Sequence, residues 1–84
     1  MQIWNFTVWI EAPDEELLAW SDRLFDAGGD DTSPGNTDGK CHVEFHREAG
    51  TLKDAIQSAR LTLQKAGLSV QRVEIEESEL AAWI

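Results

Sequence analysis

The chain has one cysteine, one methionine, two prolines and no tyrosine in 84 residues. A single cysteine excludes an internal disulfide and fits a reducing compartment. No apolar run approaches membrane-spanning length, and the start of the chain lacks the basic and apolar regions of a secretory signal. A cytoplasmic protein without membrane contact is therefore expected. Basic residues are scarce as well: seven Lys and Arg stand against sixteen Asp and Glu, for a net charge of −9. Phosphate recognition needs clustered Lys and Arg, so direct binding of nucleic acid is disfavoured.

What is present is an ordinary globular composition, 42% hydrophobic and 27% charged, in a chain the size of one domain (1–84) with a short tail at 77–84. The charge is lopsided. Residues 1–10 carry none, residues 11–38 carry −8, residues 39–73 carry +3, and Glu74, Glu76, Glu77 and Glu79 add −4. Such a distribution implies one acidic side.

Ile3 to Ala12 alternates as a strand does, with Trp4, Phe6, Val8 and Ile10 on one face and Ile3, Asn5, Thr7, Trp9 and Glu11 on the other. Pro13 and Asp14 mark a helix start, with Glu15 and Glu16 in the first turn where the helix dipole favours anions. Leu17, Leu18, Trp20, Leu24 and Phe25 follow helical spacing, Glu15, Asp22 and Asp26 fall on the outer face, and Gly28-Gly29 ends the helix. A short, polar edge strand is expected near Asp31–Pro34, because Pro34 would break a central strand. Asp38-Gly39 is a strong hairpin turn into a better strand, Lys40–Glu48. Its Cys41, Val43 and Phe45 face inward; His42, Glu44, His46 and Glu48 face out.

Thr51 with Asp54 is a near capping box for a second helix. Leu52, Ala55, Ile56, Ala59, Leu63 and Ala66 form its buried stripe, and Gly67 closes it. Val70–Glu76 is the last strand, with Val73 and Ile75 inward. Leu80, Trp83 and Ile84 have helical spacing in a tail too short to be stable unless it packs on something. The order β-α-β-β-α-β suits an α+β two-layer sandwich of ferredoxin-like topology, a four-stranded antiparallel sheet with two helices on one face. The polar second strand and the final one would then be the outer strands.

No chemistry-bearing motif emerges, and no catalytic, cofactor-binding or metal-binding residue is assigned. Cys41 and His42 are strand neighbours on opposite faces and cannot meet, so Cys41 reads as a buried core thiol. His42 and His46 share a face but lie about 13 Å apart along a strand, too far to chelate one metal. They suit a solvated, partner-facing or pH-responsive role. Asn36-Thr37-Asp38-Gly39 echoes a calcium loop, but the first and twelfth ligand positions would be Pro34 and Phe45. Gly28-Gly29 is a helix stop and not a phosphate loop.

The surface available for recognition is the open sheet face, where Ile3, Trp9 and Val70 sit apolar amid Thr7, Glu44, Arg72 and Glu74, together with the acidic first helix. An outward Trp9 is a candidate anchor, unless the tail folds back and Trp83 covers it.

Gly29-Asp30-Asp31, Val43–Ala49, Thr51–Ala59, and Ala66-Gly67-Leu68 running into Val73–Glu76 form an arrangement that resembles a known family. It is similar to the N-terminal ferredoxin-like half of small bacterial excisionase-type helix-turn-helix regulators, some antitoxin-like. In those regulators a segment like Glu79-Leu80-Ala81-Ala82 opens the DNA-binding helices, whereas this sequence ends at Ile84. The resemblance thus implies the partner-binding or dimerising half without the helix-turn-helix, and it carries over no catalytic residues.

The first expectation is a non-enzymatic acidic protein-binding module, antitoxin-like or inhibitory. The second is a phage or mobile-element inhibitor that mimics DNA with Glu15, Asp22, Asp26, Asp30 and Asp31 in a row. The third is a small-ligand sensor. A homodimer is also expected, its sheets paired through the open face with Trp9 near the centre and Arg72 and Glu74 pairing across the twofold axis.

Overall fold

A computed structural model describes the backbone of residues 1–83 and the side chains of residues 1–81. The elements run β1 (Gln2–Ile10), α1 (Leu17–Asp26), β2 (Thr32–Thr37), β3 (Lys40–Ala49), α2 (Leu52–Lys65), β4 (Val70–Ile75) and α3 (Glu77–Trp83). The strands form one antiparallel sheet in the order β2-β3-β1-β4. The polar β2 and the final β4 are therefore the outer strands. Pro34, which lacks an N–H, sits in the outermost strand, where the missing donor does least harm. Asp38 and Gly39 both have positive φ (52° and 77°) at the β2–β3 turn, the pair of conformations that a two-residue hairpin of this twist needs.

The alternation of β1 and β3 builds one wall of the core. Phe6 opposes Phe45, Val8 opposes Val43 and Ile10 opposes Cys41, all buried, with Phe6 and Phe45 stacked at 5.4 Å. Trp4 is buried with them, and its indole N–H donates to the Ala49 carbonyl at 3.1 Å, so its one polar atom is satisfied. Leu52, Ala55, Ala59, Leu63 and Ala66 of the second helical segment bring the buried stripe that their spacing implies, joined by Trp20 and Leu24 of α1. Thr51 caps α2, its hydroxyl accepting from the Asp54 amide at 3.1 Å. Gly67, at φ +75°, closes it.

The first helix departs from expectation. It begins at Leu17, with Glu16 as N-cap, so Glu15 and Glu16 precede the first turn. Pro13 introduces a bend through Asp14 and Glu15, and Glu15 is drawn back onto Arg23 in an ion pair. Arg23 also donates to the Ala66 carbonyl at the end of α2 (2.9 Å), which joins the two helices. The apolar stripe is also narrower than the spacing suggested. Trp20 and Leu24 are buried, but Leu18 is 76% and Phe25 63% exposed. At about 100° per residue, both lie roughly 150° around the helix from Trp20.

Val70 is the second correction. The β1–β4 register shifts between Trp9 and Ile10: Trp9 opposes Arg72, but Ile10 opposes Val70, leaving Gln71 as the extra residue. A one-residue bulge reverses the alternation beyond it. Val70 therefore faces the helix side with Ile10 and lines a groove against Gln57, Leu61 and Gln64 of α2. It does not share the open face with Ile3 and Trp9.

Candidate functional site

The open face of the sheet is a polar surface with one aromatic held in it. Trp9, on the interior strand β1, has His42 of β3 opposite on one side and Arg72 of β4 opposite on the other. Both neighbours close on it. The His42 ring lies 5.1 Å from the indole, the Arg72 guanidinium sits over it at 5.0 Å, and the indole N–H donates to Glu74 at 2.9 Å. Trp9 is half-buried as a result. His42 in turn rests on Gly35: a Cβ there would come within 2.7 Å of the imidazole, so any other residue would push the ring aside. His42 Nδ1 is buried without a hydrogen-bond partner, one of two such side-chain atoms among the described residues, the other being Ser21 Oγ.

Further along the same face, Thr7 lies between Glu44 and Glu74 in a shallow depression also lined by Asn5, His46 and Glu76. His46 Nδ1 is 2.6 Å from the Asn5 side-chain carbonyl, which requires the Nδ1–H tautomer or the imidazolium. Asn5 passes its own N–H to Glu79 at 3.0 Å, tying α3 to β1. Leu80 packs on the other side, against the core beside Leu52, Ile56 and Ile75. The tail thus does pack, through Glu79 and Leu80. Trp83 ends α3, but its side chain, like all of Ile84, lies outside the described residues.

Cys41 is 3% exposed in the core while His42 projects from the opposite face, so the two do not meet. Among the described residues no three His, Cys, Asp or Glu side chains come together as metal ligands would. Among the described residues no helix is long and apolar enough to cross a membrane.

The expected acidic row is broken. Glu15 is paired with Arg23, and Asp31 is clamped by Arg47 in a bidentate pair of 2.7 and 2.8 Å. Asp22, Asp26 and Asp30 remain exposed. Arg47 is the residue that sequence reasoning missed. It lies on the inward face of β3, buried, with its guanidinium also donating to Thr62 (2.9 Å) and the Gly28 carbonyl (3.2 Å) and stacked 4.9 Å over Phe45. The arrangement fastens the loop after α1 to both the sheet and α2.

A second surface follows from the geometry of α1. Leu18 and Phe25 stand exposed two turns apart on the helix's outer face, with Asp22 between them and Asp26 beside them. Neither belongs to the buried core or to the side chains packed against it. Comparison with protein-family models, curated proteins and solved structures returned no match to this chain.

Proposed function

We propose that this chain is a small acidic protein-binding module, antitoxin-like or inhibitory in its action, that engages a protein partner through the outer face of α1. The observation that carries the reading is the exposure of Leu18 and Phe25 on one helical face flanked by Asp22 and Asp26. Isolated exposed apolar residues are common, but a leucine and a phenylalanine aligned on a helix form an amphipathic contact surface. An aromatic near the centre of such a patch is a typical energetic anchor. The carboxylates around it favour a partner with a basic rim, by steering the encounter and discriminating against acidic surfaces.

We also read the fold as ferredoxin-like. The order β-α-β-β-α-β with β2 and β4 outermost supports that reading, and it agrees with the resemblance to the partner-binding half of excisionase-type regulators. The DNA-mimic reading has less support, because arginines within the chain occupy two of its five carboxylates. Affinity capture from a bacterial lysate tests the proposal. A Phe25→Ala variant should lose specific partners that wild type and a control substitution, Gln64→Ala, both retain. Equal recovery by Phe25→Ala and wild type would overturn the assignment to α1.

A further inference from the structure

The two edges of the sheet are chemically unlike. β2 carries Pro34 and Gly35 at its centre, residues that blunt strand addition. β4 has neither, and pairs only with β1. Among the described residues of α3, Glu79 and Leu80 turn onto Asn5 and the core and away from this edge. Along this open edge Arg72 and Glu74 project from one face with side chains 63% and 54% exposed, and half-buried Val73 projects from the other.

We propose that β4 is a homodimerisation edge: a second copy of the chain adds antiparallel in the register centred on Val73, making one continuous eight-stranded sheet. The charge pattern selects that register. A twofold axis on Arg72 would set arginine against arginine, and one on Glu74 would set glutamate against glutamate. Like charges directly opposed destabilise a ladder, while opposite charges support it. An axis between two residues would oppose an open-face side chain to a helix-face one and put the helices of the two copies on opposite sides. Centring on Val73 places Arg72 of each copy against Glu74 of the other and packs the two valines together.

The surroundings agree with this geometry. Antiparallel addition brings the acidic end of one β4, continuing into Glu76 and Glu77, beside the start of the other, where Arg60 of α2 stands near Val70. The alternating charges that deter unrelated strands thus become complementary for a copy of the same chain. This dimer draws on Arg72 and Glu74, which also flank Trp9 within each copy, but not on the α1 surface, so its failure would leave the binding-module reading untouched.

Charge reversal tests the register. Sedimentation should show a wild-type dimer at high micromolar concentration. Arg72→Glu and Glu74→Arg should each weaken it at least tenfold, with circular dichroism confirming that both remain folded. Mixing the two variants should restore a heterodimer, because each then meets an opposite charge. Hydrogen exchange on the wild-type protein supplies a test that needs no variant: β4 amides should gain protection with rising concentration while β2 amides do not. A monomeric wild type, single variants that dimerise as well as wild type, a mixture that stays monomeric, or concentration-dependent protection confined to other elements would overturn the proposal.

Discussion

The open sheet face and the outer face of α1 both carry large apolar side chains toward solvent, yet those side chains are situated differently. Trp9 is flanked across both ladders and is touched by His42, Arg72 and Glu74. Leu18 and Phe25 stand on a helix face turned away from the sheet, with Asp22 and Asp26 as their near neighbours. The contrast follows from geometry. A residue on an interior strand always has opposed residues about 5 Å away on either side, whereas a residue on the far side of a helix has only its own i±3 and i±4 neighbours. An outward tryptophan on β1 can therefore be a structural element of the sheet. An outward phenylalanine on α1 has no such explanation within the fold.

The comparison depends first on α1 being held in place, and beside the buried Trp20 and Leu24 and the Arg23–Ala66 hydrogen bond, Arg47 fastens the loop that leaves the helix. Arg47→Met keeps the apolar stem but strips Asp31 and the Gly28 carbonyl of their charged donor. Breaking a fully buried pair from one side costs about 3–5 kcal/mol. With the Asp31 side chain 25% exposed, the loss here should be about 2–3 kcal/mol, still a large share of the stability of a domain this small. Urea denaturation followed by circular dichroism should show that loss, and Arg47→Met with Asp31→Asn should lose less than Arg47→Met alone. A loss under about 1 kcal/mol would mean that helix packing alone positions α1.

The second prediction concerns Trp9 itself. Because it is half-buried and hydrogen-bonded, Trp9→Ala should destabilise by about 2 kcal/mol, less than the 3–5 typical of a core aromatic. Trp9→Phe should cost about 1 kcal/mol, chiefly the lost bond to Glu74. The same denaturation measurement checks both. Stability unchanged in Trp9→Ala would erase the distinction between the faces and return Trp9 to the role of a free anchor.

How much of this was legible in the sequence depends on the range of the signal. The strand parity of β1 and β3 and the stripe of α2 could be read because period 2 and period 3.6 are local properties. The same helical arithmetic sets Leu18 and Phe25 away from Trp20, but which side of the apolar run is buried depends on the packing of Trp20 and Leu24 into the core. Arg47 was half readable: it shares parity with Val43 and Phe45, which marks it as a buried charge, but its partner Asp31 lies across the β2–β3 pairing and depends on register. The Trp9 cluster needs the register of two ladders at once. The bulge at Gln71, which turned Val70 to the helix side, leaves no mark in the local pattern, since Val70–Glu76 reads equally well as unbroken alternation.

The last prediction has the smallest effect on stability and bears most directly on function. Leu18→Ser and Phe25→Ser remove apolar groups that are mostly in solvent already, so each should change folding stability by no more than about 0.5 kcal/mol. Serine is a slightly poorer helix former than leucine and comparable to phenylalanine, which adds only a few tenths of a kcal/mol. Partner affinity should respond quite differently. If Phe25 anchors the contact, its truncation should weaken binding by about 2 kcal/mol or more, close to thirtyfold. Asp22→Asn with Asp26→Asn should mainly slow association and flatten its dependence on salt. Calorimetric titration of the captured partner, alongside denaturation of each variant, separates these effects. A stability loss above about 1 kcal/mol in either serine variant would show that α1's outer face is part of the folded interior, and the asymmetry between the two faces would vanish.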